Sequence, residues 1–154
     1  MDCDNPKRTI DKSKLMNTFR INSTTQININ DVLFVKYIVV DDVDIIVSYA
    51  LTTESYSGPL VKLSSFTPLF EELLARGFHD YKISDVHLLI KPEEIIKISH
   101  YVDTTIDIKI MHVGGYSENL LKIPVKYRSE MSTVFNELID QWEKSFPPPN
   151  KIIS

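Results

Sequence analysis

Of the 154 residues, one is cysteine and four are glycine, and each shortage excludes a kind of chemistry. Cys3 has no second thiol to pair with, so no internal disulfide or thiolate metal site can form, and a reducing compartment is the simpler setting. Four glycines leave little material for phosphate-cradling loops: there is no GxxxxGK loop, no dinucleotide fingerprint, no GxSxG elbow and no CxxC pair. Excess positive charge is missing too. With 17 Lys and Arg against 21 Asp and Glu, the formal net charge is −4, and sequence-independent nucleic-acid binding lacks its usual driving force. No apolar run approaches the length of a membrane span, and residues 1–17 hold no apolar h-region, so the expected location is intracellular and cytoplasmic. Outside the secretory route the sequon Asn22-Ser23-Thr24 reads as a polar turn.

What is present is the balance of a globular domain with a core, 43% hydrophobic and 25% charged. Residues 1–17, with Lys7, Arg8, Lys12 and Lys14 among aspartates, read as a flexible N-terminal arm suited to self-association. A single globular domain is expected over 18–146, and 147–154 forms a Pro-rich tail. Val32 to Val40 and Val43 to Leu51 are β-branched and apolar on both faces, as central strands are, and Asp41-Asp42 turns between them. Thr67 and Pro68 form an N-cap and first turn for a short helix closed by Gly77. Tyr81 to Ile90 reads as one strand, and Thr52 to Pro59 as a polar loop. Thr104 to Val113 alternates Ile106, Ile108, Ile110 and His112 with Asp107, Lys109 and Met111. Gly114-Gly115 then turns it into a partner strand, Leu120 to Lys126, that Pro124 places at a sheet edge or end.

Met131, Val134, Phe135, Leu138, Ile139, Trp142 and Phe146 share one face of a helix that starts near Ser129 and is stopped by Pro147-Pro148-Pro149. Its core residues are Met131, Phe135, Leu138 and Trp142. Glu130, Glu137, Asp140, Glu143 and Lys144 occupy the wet face. The fold class is therefore α+β: a single mainly antiparallel sheet packed by a short central helix and a longer C-terminal amphipathic helix.

Few residues carry a chemical signature. His79, His87, His100 and His112 lack the spacing of any helix-borne or knuckle-type metal site, and Asp85 and His87 would share one strand face. Asp41, Asp42 and Asp44 lack the glycine and distal glutamate of a calcium loop. The chain reads as a non-enzyme with no metal or cofactor. Lys122, Lys126, Tyr127 and Arg128 form a small basic and aromatic patch, an interaction surface on an acidic protein. Triple proline followed by Lys151, Ile152 and Ile153 is a second place for contacts.

The order of elements, from charged arm through strands, the capped helix at Thr67 to Gly77 and the Gly114-Gly115 hairpin to a tryptophan-bearing helix, resembles the matrix proteins of rhabdoviruses. The likeness runs from about Val43 to Trp142. The arm is not strongly lysine-rich, the net charge is negative, and Pro147-Pro148-Pro149-Asn150 is not the PPxY signal that such proteins often carry near the N-terminus, so the version implied is a plant-infecting relative. The resemblance implies a virion-associated structural protein that self-associates as a homo-oligomer and contacts nucleocapsid or a membrane periphery; it transfers no functional residue. The alternative is a small acidic protein-interaction module, such as an immunity, antitoxin or host-factor-blocking protein, which works by presenting surface.

Overall fold

The computed structural model describes residues 16–52, 54–56, 58–100, 104–111 and 118–146. The arm before Met16, the Gly114-Gly115 turn, His112 and the tail after Phe146 lie outside them. Two compact units are present, one up to Asp31 and one from Val32 onward, where the sequence suggests one domain over 18–146.

The first unit is a hairpin, β1 (Thr18–Asn22) with β2 (Thr25–Asn28). Phe19 and Ile27 face each other in register and are both buried. Asn22 makes the turn: its Oδ1 accepts the Thr24 backbone N–H and hydroxyl at 2.9 Å each, which is the local bonding that makes Asn a turn residue. The sequon is thus a turn, as its composition suggests.

The second unit holds a six-stranded antiparallel sheet. Its elements are β3 (Val32–Val39), β4 (Asp44–Leu51), β5 (Ser55–Tyr56), β6 (Leu60–Lys62), β7 (His79–Ile83) and β8 (Val86–Ile90), in the order β5-β4-β3-β8-β7 with β6 also on β4. β3 is central, as its two apolar faces require. The glycine-free turn before β4 is held by Asp41, whose Oδ1 accepts both Val43 N–H and Asp44 N–H at 3.0 Å; these two bonds hold its carboxyl below the usual range. β5 and β6 edge the two ends of β4, and β5 interrupts the loop expected over Thr52 to Pro59. Between them Gly58 comes so close to β4 that a Cβ would meet Ile46 Cγ2 at 2.8 Å.

One face of this sheet, with Val35, Ile45, Val47 and Leu89 almost fully buried, is covered by α1 (Leu63–Ala75), which buries Phe66, Leu69, Phe70 and Leu73. The helix begins a turn earlier than Thr67-Pro68 implies. Phe66 is only 1% exposed, and its burial outweighs the capping preference of the next residue. Thr67 instead donates its hydroxyl to the Leu63 carbonyl at 2.9 Å, and Pro68 sits inside the helix, where its missing N–H leaves one ladder bond unmade. The C-terminus is as expected: Gly77 has φ 101°, with Gly77 N–H on Leu74 O and Phe78 N–H on Leu73 O, the paired bonds of a Schellman stop.

Tyr81 to Ile90 is two strands, not one. Ser84-Asp85 turns the chain between β7 and β8, with Ile83 facing Val86 and Ser84 in the left-handed region at φ 57°. A 3-10 turn at Pro92–Glu94 then leads into a separate three-stranded antiparallel sheet, β11-β10-β9, made of β9 (Ile95–His100), β10 (Thr105–Met111) and β11 (Glu118–Pro124). The strands therefore divide among three sheets where one was expected. The α+β class, the antiparallel pairing, the short central helix and the longer C-terminal one stand as read.

The second sheet presents Ile98, Ile106, Ile108, Ile110, Leu121 and Ile123 to a shared core. The larger sheet contributes Tyr81, Ile83, Val86, Leu88 and Ile90, and α2 (Met131–Ser145) contributes Met131, Val134 and Leu138. Phe135, Ile139 and Trp142 pack at its margin, half-buried. Phe146 is 40% exposed and leaves the apolar stripe, because its backbone is already extended beyond the helix end. Three polar ties fasten α2. Gln141 accepts Lys82 N–H at 2.9 Å and donates to Lys82 O at 3.0 Å, Tyr81 and Ser145 share a hydroxyl hydrogen bond, and the Trp142 indole donates to the Pro92 carbonyl at 3.1 Å. The glutamine amide thus occupies the open edge of β7 as a neighbouring strand would.

Candidate functional site

Antiparallel partners point to the same side of a sheet, so register decides which surface residues meet. In the three-stranded sheet Lys97 lies opposite Lys109, Ser99 opposite Asp107, and Asp107 opposite Lys122. Ile98, Ile106, Ile108 and Ile123 are buried; this row is on the other face. Lys122, on β11, holds Asp107 at 3.4 Å while its own side chain stays 57% exposed. Asp107, which alternation places on a wet face, is only 7% exposed.

The remaining patch residues follow β11. Lys126 and Tyr127 are exposed, with the ammonium 5.5 Å from the neighbouring ring centroid, and Arg128 opens the exposed 3-10 turn before α2. The Lys126 N–H donates to Ser84 Oγ at 3.3 Å, fixing the patch to the β7–β8 turn. An open cleft of about 750 Å³ follows, lined among others by Lys82, Asp85, Lys126, Tyr127, Glu130 and Glu137. Both charge signs line it. Lys122 on β11 and Lys126, Tyr127 and Arg128 beyond its end are all exposed, and the register puts Lys97 opposite Lys109, next to the Asp107–Lys122 pair. Lys7, Arg8, Lys12 and Lys14 lie outside the described residues.

A second surface is apolar. Ile38, Ile46 and Leu60 are successive cross-strand neighbours on β3, β4 and β6, and Val40 follows Ile38 on the same side. Val40 is 52%, Ile46 41% and Leu60 63% exposed, whereas Val43, 54% exposed, lies beside Leu63, Ser64 and Thr67 of α1. An Asp44–Lys62 ion pair of 3.0 Å borders the group. Large exposed apolar side chains gathered in this way mark interaction surfaces.

The histidines are dispersed. His79 is on β7 against Tyr81, His87 on β8, and His100 on β9 against the Phe135 ring; His112 is outside the described residues. Among the described residues no three His, Cys, Asp or Glu side chains are grouped as metal ligands. Asp85 is in the turn, and the carboxylate beside His87 is Asp80 across the hairpin, 3.3 Å from Nδ1. His87 also completes a stack that sequence reading misses: Tyr37 lies between Phe70 at 4.6 Å and His87 at 4.7 Å, nearly parallel to both. Burial, helped by the negative charge of Asp80, pushes the Tyr37 phenol up to about 12. Burial likewise raises Tyr81, against the opposing effect of its bond with Ser145, and raises Glu94, which Lys91 partly offsets.

Among the described residues no helix is long and apolar enough to cross a membrane. The chain matches no family model, no curated protein and no solved structure.

Proposed function

We propose that this chain is a structural assembly protein without enzymatic activity, one that self-associates and contacts a larger nucleoprotein, in the manner of a viral matrix protein inside an infected cell or virion. The observation that carries the reading is the exposed apolar group Val40, Ile46 and Leu60, on a sheet margin that α2 leaves uncovered. Water contact at these side chains is unfavourable by about 25 cal/mol per Å² of apolar surface, which association would recover. Acidic residues on the outer side of α2 favour a second reading, the small interaction module that binds a basic partner.

Light scattering on the full chain tests the first reading. Concentration-dependent assembly of the wild type is expected, and Leu60→Asp should weaken it while leaving thermal unfolding unchanged, since Leu60 is 63% exposed. A wild type that stays monomeric at every concentration refutes self-association.

A further inference from the structure

We infer that the apolar groove at the C-terminal end of α2 takes the isoleucine pair Ile152-Ile153 from the tail of a second copy of this chain. The inference rests on the self-associating reading above and names one of its contacts.

The groove is built on one stripe of a helix. Ile139, Trp142, Glu143 and Phe146 follow one another at spacings of three and four, which stack side chains on a common face, and together they line an open hollow of about 370 Å³. Ile139 and Trp142 are half-buried and Phe146 is 40% exposed. The hollow is preformed. Trp142 is pinned by its indole N–H, which donates to the Pro92 carbonyl at 3.1 Å, and the Phe146 ring centroid lies 6.1 Å from its own. A wall fixed in this way loses little side-chain freedom when an apolar group enters. Glu143 is exposed and sets one negative charge on the rim.

The chain itself supplies a matching segment. Residues 147–154 read Pro-Pro-Pro-Asn-Lys-Ile-Ile-Ser, which puts a lysine directly before two apolar side chains. Ile152 and Ile153 suit the apolar wall, and Lys151 suits Glu143.

A chain's own tail falls short of its own groove. Phe146 has extended backbone, φ −72° and ψ 147°, as proline imposes on the residue before it. Each proline ring fixes φ near about −65°, and at a rise of about 3.1 Å per residue three prolines carry the chain about 9 Å beyond the helix end. Trp142 lies about 6 Å further back along α2, four residues at about 1.5 Å each. The return path is therefore about 15 Å, whereas the four residues from Pro149 to Ile153 span at most about 14 Å and must also reverse direction. A neighbour's tail has no such limit. Each copy carries one tail and one groove, so a pair that exchanges tails satisfies both members, as in domain swapping. The contact is separate from the apolar margin on β3, β4 and β6.

Trp142 is the only tryptophan in the chain, so its fluorescence reports the groove directly. In the full chain, emission should move to longer wavelength on dilution, as tails leave their partners' grooves and water enters. Ile152→Asp with Ile153→Asp should show the diluted spectrum at every concentration and unchanged thermal unfolding. It should also weaken association in light scattering about tenfold or more, since a carboxylate in an apolar groove goes unpaired. A free peptide of residues 147–154 gives a second measurement that needs no variant. Added to the diluted wild type it should return the emission to short wavelength, and at assembling concentrations it should lower the scattering, because it fills the groove without linking copies. Emission that dilution, peptide and variant all leave unchanged, with assembly still reduced by Leu60→Asp, overturns the tail contact and spares the self-association reading. A wild type that is monomeric at every concentration overturns both, even where the variant shifts the emission, since the tail then lies on its own groove.

Discussion

Replacing Gln141 with alanine removes both hydrogen bonds that its amide makes to the Lys82 backbone, at 2.9 and 3.0 Å. A neutral hydrogen bond contributes about 0.5–1.5 kcal/mol net. The Lys82 groups sit at an exposed edge where water can replace the amide, so the low end applies and the pair sums to about 1–2 kcal/mol. For a chain of this size that corresponds to a fall of about 2–8 °C in Tm, measured by circular dichroism. Gln141→Glu sharpens the test. Its carboxylate at neutral pH still accepts from Lys82 N–H but repels the Lys82 carbonyl, whereas the protonated acid can donate to that carbonyl as the amide does. The fold then favours the protonated form, which raises the carboxyl pKa above its unfolded value of about 4.3. The rescue is full below about pH 4.3 and is lost as pH rises through the folded value. A Gln141→Ala loss under about 0.5 kcal/mol, typical of an inert surface position, would refute the claim that the amide closes the sheet edge.

Leu138 is fully buried, so Leu138→Ala should cost about 2–5 kcal/mol in urea unfolding. Half-buried Trp142 should cost about 2–3 kcal/mol on truncation, less than the full range for a buried aromatic; a larger loss from Trp142→Ala than from Leu138→Ala would place the centre of the core wrongly. Tyr37 titrates near 12 in the fold against 10.0 ordinarily. Its neutral form is favoured, so this contribution is complete below pH 10 and is lost as pH rises toward 12. An ultraviolet phenolate titration should show a late-titrating tyrosine that Tyr37→Phe abolishes, and an unchanged curve would contradict its burial between Phe70 and His87.

How much the sequence discloses depends on whether a feature is local. The periodicity of Met131, Val134 and Leu138 is local, and so is the αL stop at Gly77; both hold. The Tyr81–Ile90 hairpin had a local signal as well, since apolar positions shift from odd at 81 and 83 to even at 86, 88 and 90, a phase slip that a continuous strand cannot contain. Thr67-Pro68 misplaces the start of α1 because a cap preference of about 1 kcal/mol competes with burial of a whole Phe66 ring. The surface sites were only half visible. Lys122, Lys126, Tyr127 and Arg128 are neighbours in sequence, whereas Lys97, Lys109 and Lys122 become neighbours only through strand register. Ile46 and Leu60 meet only because β6 returns to β4. The stack of Phe70, Tyr37 and His87 joins three elements, and no spacing in the sequence announces it.

The ties between α2 and the sheets span 50 to 64 residues of chain, and α2 is the last described element to leave the ribosome. Until it emerges, a nascent chain carries two sheets whose isoleucine-rich sides lack their final cover. Closing loops of that length is slow compared with forming the local hairpins. Chaperone capture and premature clumping therefore compete with the correct ending during that interval, and a polypeptide cut short before Met131 would remain in the vulnerable stage permanently.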